Sequence, residues 1–241
     1  MTGMIRTISP RDEMNVPGLE DLYFRATESA MENIQMAISC ARAGSPGRIL
    51  DLPCGHGRVL RGLRARFPLA EITACDLNRD GVDFCAATFG AIPAYSDADL
   101  AQVRLPRDFD LVFCGSLLTH LPESATHRAI AFLIERLAPM GILLFTTHGR
   151  YSFTAQEHRP YTDPDSFARI RKGYDGRGYG FAPYPESDEY GVSLARPSWV
   201  IAELERYAGI RLLFFREMGW DDHQDVFAVV NDPLDYYRGA R

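Results

Sequence analysis

The chain has 241 residues, 46% of them hydrophobic, with 32 acidic against 26 Lys and Arg side chains and a formal net charge of -6. That length suffices for a sizeable core and favours one large domain or two small ones. The acidic balance argues against a general nucleic-acid binder, which needs surplus Lys and Arg to neutralise phosphates. Met1 to Arg11 hold no apolar leader-like run. Nothing in the chain approaches the ~18 consecutive apolar residues of a membrane span, so the sequence reads as a soluble, cytoplasmic protein.

In chain order, Leu19, Leu22, Tyr23, Ala26, Ala30, Ile34, Ala37, Ile38 and Ala41 follow the helical period and predict an amphipathic helix over Gly18 to Ala43, stopped by Gly44-Ser45-Pro46-Gly47. Arg48 to Leu52 reads as a short strand, followed by a glycine-bearing turn and a helix through Val59, Leu60, Leu63 and Phe67. Arg58, Arg61, Arg64 and Arg66 read as a solvated face of that helix. Further strands are expected at Glu71 to Cys75, Ile92 to Ser96, Phe109 to Cys114 and Ile142 to Thr147. Helices over Val82 to Phe89 and Pro122 to Leu137 alternate with them, and Pro139 and Gly141 break the chain before the fifth strand. Nearly all-apolar strands alternating with helices imply a parallel sheet covered on both faces, the doubly wound α/β architecture.

The pattern lapses over Arg150 to Pro197, which is rich in Gly, Pro and aromatic residues without a sustained period. A stretch this long is expected to be a substrate lid or a set of short strands. Its aromatic residues can line an acceptor pocket or form a small satellite core. Ser198 is expected to cap a helix through Tyr207, with strands at Ile210 to Phe215 and Asp225 to Val230 completing the core and residues 233–241 as a tail. The five cysteines, Cys40, Cys54, Cys75, Cys85 and Cys114, form no C-x-x-C pair and read as buried thiols in a reducing compartment.

The segment Ile49-Leu50-Asp51-Leu52-Pro53-Cys54-Gly55-His56-Gly57-Arg58-Val59-Leu60 takes a strand into a tight turn where Gly55 and Gly57 let a ligand approach the backbone. Asp76 stands where the second strand ends, roughly 20 residues beyond the turn, the place of a ribose-binding acid. A dinucleotide site wants G-x-G-x-x-G, and here Leu60 stands in the third glycine's place.

These residues resemble the class I S-adenosylmethionine-dependent methyltransferase family, whose first motif is written D-x-G-x-G-x-G after an apolar strand. Asp51, Gly55 and Gly57 match, and Pro53 replaces the first glycine, stiffening the turn and removing one N–H. Asp76 resembles the family's ribose-binding acid, and Ser96-Asp97-Ala98 the place where the adenine amino group is read. Phe109 to Ser116 resembles its fourth strand, and Leu137 to Leu144 the approach to its fifth. The resemblance implies a seven-stranded sheet with the last strand antiparallel, and S-adenosyl-L-methionine as cofactor. It further implies cofactor contacts at Asp51, Pro53, Gly55, Gly57, Asp76, Leu77, Asp97, Ala98, Gly115 and Ser116. Asp51 can equally hold the turn through backbone N–H groups.

Methyl transfer is an in-line displacement, so such a protein mainly aligns donor and acceptor and excludes water. An oxygen or nitrogen acceptor also needs a base for its proton. His120 after the fourth strand and His148 after the fifth are the candidate catalytic residues, each with the alternative of a silent hydrogen-bonded imidazole. Tyr23 and Arg25 are candidates to fold over the cofactor's methionine end, with helix packing and solvation as the alternative. Asp221-Asp222-His223-Gln224-Asp225 has no zinc-ligand spacing and reads as a solvated turn, so no metal is expected.

The expected reaction is methyl transfer to an oxygen, or less favourably a nitrogen, of a small molecule or glycan precursor. No Asn-Pro-Pro-Tyr type sequence marks a planar nitrogen acceptor, and neither a nucleic-acid nor a membrane partner is expected. A nicotinamide-dependent oxidoreductase on the same sheet and a non-catalytic S-adenosylmethionine-binding module are the alternatives. The sequence leaves open whether the chain is a monomer or a homodimer.

Overall fold

The computed structural model describes residues 3–156 and 158–232, so the expected tail at 233–241 lies outside the described residues. Helix α1 (Glu20–Ala41) buries Tyr23, Ala26, Ala30, Ile34 and Ala37 along one stripe and ends at a left-handed Arg42. Strands and helices then alternate: β1 (Arg48–Asp51), α2 (Leu60–Arg66), β2 (Glu71–Asp76), α3 (Arg79–Phe89), β3 (Ile92–Tyr95), β4 (Phe109–Cys114), α4 (Glu123–Ile134) and β5 (Leu137–Thr147). Helices α5 (Arg150–Ala155) and α6 (Pro164–Arg177) follow, then the hairpin β6 (Tyr179–Tyr184) and β7 (Ser187–Ala195), then α7 (Pro197–Leu204), β8 (Ile210–Trp220) and β9 (Gln224–Asn231).

Seven strands form one sheet in the order β3-β2-β1-β4-β5-β9-β8. The first five are mutually parallel, and β9 runs antiparallel to both its neighbours, as the sequence leads one to expect of the last strand. Alternate residues face opposite layers. Ile49, Ile72, Leu111 and Ile142 pack against α1, α2 and α3, while Leu50, Val112, Leu143 and Val229 pack against α4 and α7. Full burial of each such side chain stabilises the sheet by roughly 1.5–3 kcal/mol. The chain leaves β1 outward to β2 and β3 and returns to the other side of β1 with β4. A crevice therefore opens beyond the carboxyl ends of β1 and β4, where ligands of such sheets bind.

Several expectations are corrected. The unpatterned stretch after Gly149 is two helices and a hairpin, which pairs as a separate two-stranded sheet. Helix α6 shows no apolar stripe because it buries only Ile170, Gly173 and Tyr174. It reaches β6 by glycine contact instead: a Cβ on Gly173 would overlap the Tyr179 carbonyl, and one on Gly180 the Ile170 carbonyl. Strand β5 begins at Leu137 and absorbs Pro139 and Gly141 in a register shift around a left-handed Met140. Ser198 does not cap α7, which starts at Pro197 after Arg196. Strand β8 continues beyond Phe215 to Trp220 because its polar residues find partners, Arg216 at Asn33 and Glu217 at Arg150.

Arg61 is no solvated side chain but is 1% exposed. Its guanidinium donates to the carbonyls of Gly57, Ile5 and Thr7 and to the Tyr23 hydroxyl, which replaces the hydration that burial removes. Four of the five cysteines are buried and Cys40 is exposed. No helix among the described residues is long and apolar enough to cross a membrane.

Candidate functional site

Strand β1 ends at Asp51 and delivers the chain into the crevice, where Leu52 N–H donates to the Phe113 carbonyl and Cys54 N–H to the Cys75 carbonyl. The turn is thereby tied to β4 on one side and β2 on the other. Gly55 (φ 50) and Gly57 (φ 80) take the left-handed conformation that side chains disfavour. A Cβ on Gly57 would overlap Phe89 of α3, whereas one on Gly55 would meet nothing within 4 Å. Gly57 therefore seats the turn on the protein, and Gly55 keeps its outer side open. Gly81 at the start of α3 packs so close that a Cβ there would overlap the Gly55 carbonyl.

Asp76, at the tip of β2, points into this corner. Its Oδ2 accepts from Gly55 N–H at 2.7 Å and its Oδ1 from Asn78 N–H at 2.8 Å. Asp51 is fully buried, and its Oδ2 has no hydrogen-bond partner. Burial, with the charge of Asp76 adding to it, raises the Asp51 carboxyl well above its ordinary range. Among the described residues, neither carboxylate has a salt-bridged basic partner. Leu77 is 60% exposed beside Asp76. Asp97 and Ala98 are exposed just past β3, where Ser96 N–H donates to the Asp76 carbonyl and Asp97 accepts from Asp99 N–H.

The other candidate contacts are held by the protein itself. A Cβ on Gly115 would crowd Phe113 and Trp220. Ser116, at φ 63, donates its N–H to Thr146 Oγ1 and accepts at Oγ from Gln224 Nε2, and Thr146 donates to Gln224 Oε1. Tyr23 and Arg25 do not take the expected form of a cover. Tyr23 is buried, donates to Asp12 and receives Arg61, which in turn grips the Gly57 carbonyl, so it braces the turn from behind. Arg25 is engaged outward with Asp221 at 3.2 Å.

Beyond the carboxyl ends of β4 and β5 the insert brings a group of rings over the sheet. His120 Nδ1 lies 2.7 Å from the Gly191 carbonyl, and His148 Nδ1 lies 3.2 Å from the Ser193 carbonyl. A carbonyl can only accept, so each Nδ1 carries the proton and each neutral ring keeps a lone pair on Nε2. His120 stacks on Tyr190 at 4.9 Å, and His148 on Tyr161 at 5.9 Å. Burial lowers the His120 pKa. Burial, with His223 and His120 nearby, lowers that of His148 to about 3. Burial, then Tyr184 and then the charge of Asp76, raises the pKa of the Tyr190 hydroxyl.

The residues missed in the sequence are His223, whose ring meets His148 edge-on at 5.2 Å, and Gln224 and Asp225, both buried. The expected solvated turn is thus part of the site. Its sequence signal was the apolar strand immediately behind it, which draws the turn to the sheet's carboxyl edge. Among the described residues, no three His, Cys, Asp or Glu side chains are placed to hold a metal ion.

A family model described as a methyltransferase domain matches residues 49–141, from β1 through the start of β5. Residues 49–141 are similar to that methyltransferase domain, in line with the class I resemblance carried by the glycine-cornered turn. The chain is 31% identical over 137 residues to a malonyl-[acyl-carrier protein] O-methyltransferase of Geobacter sulfurreducens, a match covering 55% of this chain and 50% of that protein. It is 33% identical over 97 residues to a trans-aconitate 2-methyltransferase of Klebsiella pneumoniae, covering 39% of this chain and 36% of that protein. The matches therefore span half or less of these relatives' lengths.

Among solved structures, an S-adenosylmethionine-dependent methyltransferase from Clostridium acetobutylicum superposes with a TM-score of 0.58 at 13% identity, covering 87% of this chain and 92% of that one. Magnesium protoporphyrin IX methyltransferase from Synechocystis, with bound S-adenosylhomocysteine, superposes at 0.54 with 16% identity, covering 90% and 89%. These likenesses share the fold.

The corner fits S-adenosylmethionine, the cofactor that the sequence resemblance implies. The Asp76 carboxylate, without a salt-bridged basic partner among the described residues, suits a ligand whose sulfonium and ammonium are both cationic. The open side of Gly55 admits a close approach to the backbone, and the unpartnered Oδ2 of Asp51 is a buried acceptor in want of a donor.

Proposed function

We propose that this chain transfers a methyl group from S-adenosylmethionine to an oxygen of a small molecule or glycan precursor, in the cytoplasm, with the insert at 150–197 serving as substrate lid over residues 47–149. Asp51, Gly55, Gly57, Asp76, Leu77, Asp97 and Ala98 are the proposed cofactor contacts. Pro53, Gly115 and Ser116 shape the surrounding backbone. When bound, the cofactor supplies a methyl group already activated as an electrophile.

The observation that carries the acceptor side is the pair of neutral imidazoles whose Nε2 lone pairs are left free by the Gly191 and Ser193 carbonyls. His148 is the proposed base, taking the acceptor's proton at Nε2, and His120 hydrogen-bonds and orients the acceptor. The insert's rings cover the reaction from water, which strengthens each polar contact inside.

Methyl transfer from labelled S-adenosylmethionine into candidate acceptors, followed by mass spectrometry, tests the reading. The wild type is expected to produce S-adenosylhomocysteine only when acceptor is present, and His148→Asn to bind cofactor yet fail to turn over. Equal turnover by wild type and His148→Asn refutes the assignment of the base. Cofactor binding without transfer to any acceptor would favour a non-catalytic binding module.

A further inference from the structure

We propose that the acceptor group is an uncharged hydroxyl borne on a ring, and not a carboxylate; this rests on the reading above and names its substrate class. The first support is the shape of the ring group. Tyr161, Tyr184 and Tyr190 are each more than a third exposed, and they surround His120 and His148. Flat aromatic faces suit the faces of a sugar or a phenol and give little to an extended, flexible acid.

The second support is charge. Tyr184 and Tyr190 flank the hairpin turn, which reads Pro185-Glu186-Ser187-Asp188-Glu189 and carries three acids and no base. A carboxylate acceptor would therefore approach like charges. Among the described residues, no Lys or Arg hydrogen-bonds to His120, His148, Tyr184 or Tyr190. Exposed Arg159 acts on His223 and Tyr161 alone in this group. A site for an acid would instead carry a guanidinium fork in direct contact.

The third support is the free Nε2 of His148, the base proposed above. A carboxylic acid is already ionised at neutral pH and needs none, whereas a hydroxyl must lose its proton as it reacts. In the step so defined, the acceptor oxygen bonds to the methyl carbon. The carbon–sulfur bond breaks with its electron pair left on sulfur, and the hydroxyl proton passes to His148 Nε2. The relatives named for trans-aconitate and for malonyl-carrier protein align over 39% and 55% of the chain.

The test uses the full chain saturated with S-adenosylhomocysteine, with methyl mannoside, catechol and trans-aconitate as probes in saturation-transfer NMR. Each probe is then incubated with S-adenosylmethionine and its product mass read. Calorimetry of S-adenosylhomocysteine on the same sample separates a failed cofactor assignment from a failed acceptor assignment. The glycoside or the phenol is expected to receive saturation and a methyl group on oxygen, and which of them does so separates a sugar from an aromatic acceptor. Tyr190→Ala, at an exposed ring, is expected to weaken that probe roughly threefold to tenfold, the worth of one lost aromatic contact. Methylation of trans-aconitate, or contact of neither hydroxyl probe with the rings, overturns the proposal.

Discussion

The imidazoles of His120 and His148 stand edge to face with centroids 6.5 Å apart, each fixed by a carbonyl two residues from the other's on β7. Carbonyls two apart on a strand point the same way, so one strand sets the tautomer of both rings. β7 belongs to the hairpin of the insert and not to the main sheet. The tautomers of the proposed base His148 and of its partner His120 therefore depend on the element that covers them, while their positions come from β4 and β5.

The first expectation concerns His148. His148→Asn is expected to lower kcat by roughly tenfold to a hundredfold, at the low end for a general base because a pKa of about 3 makes the imidazole a weak one, with KM for S-adenosylmethionine unchanged. Steady-state kinetics with the identified acceptor decides it, and a fall in kcat below about threefold would remove His148 from the base role.

A pH signature accompanies it. His148 is held near a pKa of about 3, against 6.5 unfolded. Below pH 6.5 the unfolded chain binds the proton that the folded chain refuses, so the stability tied to His148 is present above 6.5 and is lost as pH falls toward 3. Thermal melts from pH 7.5 to 4.5 are expected to show a steeper loss of Tm for wild type than for His148→Gln. The same low pKa predicts no acidic limb in kcat from this group above pH 5.

Asp225 carries the opposite sign. It is fully buried, with Oδ2 unpartnered and Oδ1 accepting from Met218 N–H, and burial raises its pKa to about 6 from 3.8. Its raised value costs stability once pH climbs past 3.8, and the cost is complete above about 6, amounting to about 3 kcal/mol at 1.36 kcal/mol per unit. Asp225→Asn is expected to melt higher than wild type at pH 8, with the gap closing toward pH 4. A gap independent of pH would show that packing against Gly149, and not ionisation, governs this position.

How legible the molecule was in its sequence follows from where its information lies. Strand β4 is bounded in the sequence where the structure bounds it, because an unbroken apolar run between polar neighbours admits few other readings. The corner of Asp51, Gly55, Gly57 and Asp76 was legible because its conformational demands fall on residue types few positions require. Helix α6 and the β6–β7 hairpin were not, since they hold together through glycine–backbone contacts that leave no period. His223, Gln224 and Asp225 were dismissed as a solvated turn because adjacent polar residues look alike whether they face water or each other. Only the pairing of Thr147 with Asp225 across β5 and β9 shows which applies. The burial of Arg61 was hidden for the same reason, its carbonyl partners Ile5 and Thr7 lying more than fifty residues away.

Two remote substitutions probe how the turn is supported. Arg61→Met removes a buried charge together with its carbonyl bonds and leaves the carbonyls of Ile5, Thr7 and Gly57 short of a donor. It is expected to cost about 2–4 kcal/mol, roughly 4–16 °C in Tm for a chain of this size. Gly81→Ala, which would press on the Gly55 carbonyl, is expected to weaken S-adenosylhomocysteine binding at least about tenfold with a smaller loss of Tm. Calorimetry and melting on the same preparations separate the two effects.

Isothermal titration of wild type and Asp76→Ala with S-adenosylmethionine tests the cofactor corner most directly. Saturable one-to-one binding by the wild type, weakened roughly tenfold to a hundredfold by Asp76→Ala as charge-assisted hydrogen bonds are lost, is the expected result. No binding by the wild type, or equal affinity in both proteins, would contradict it.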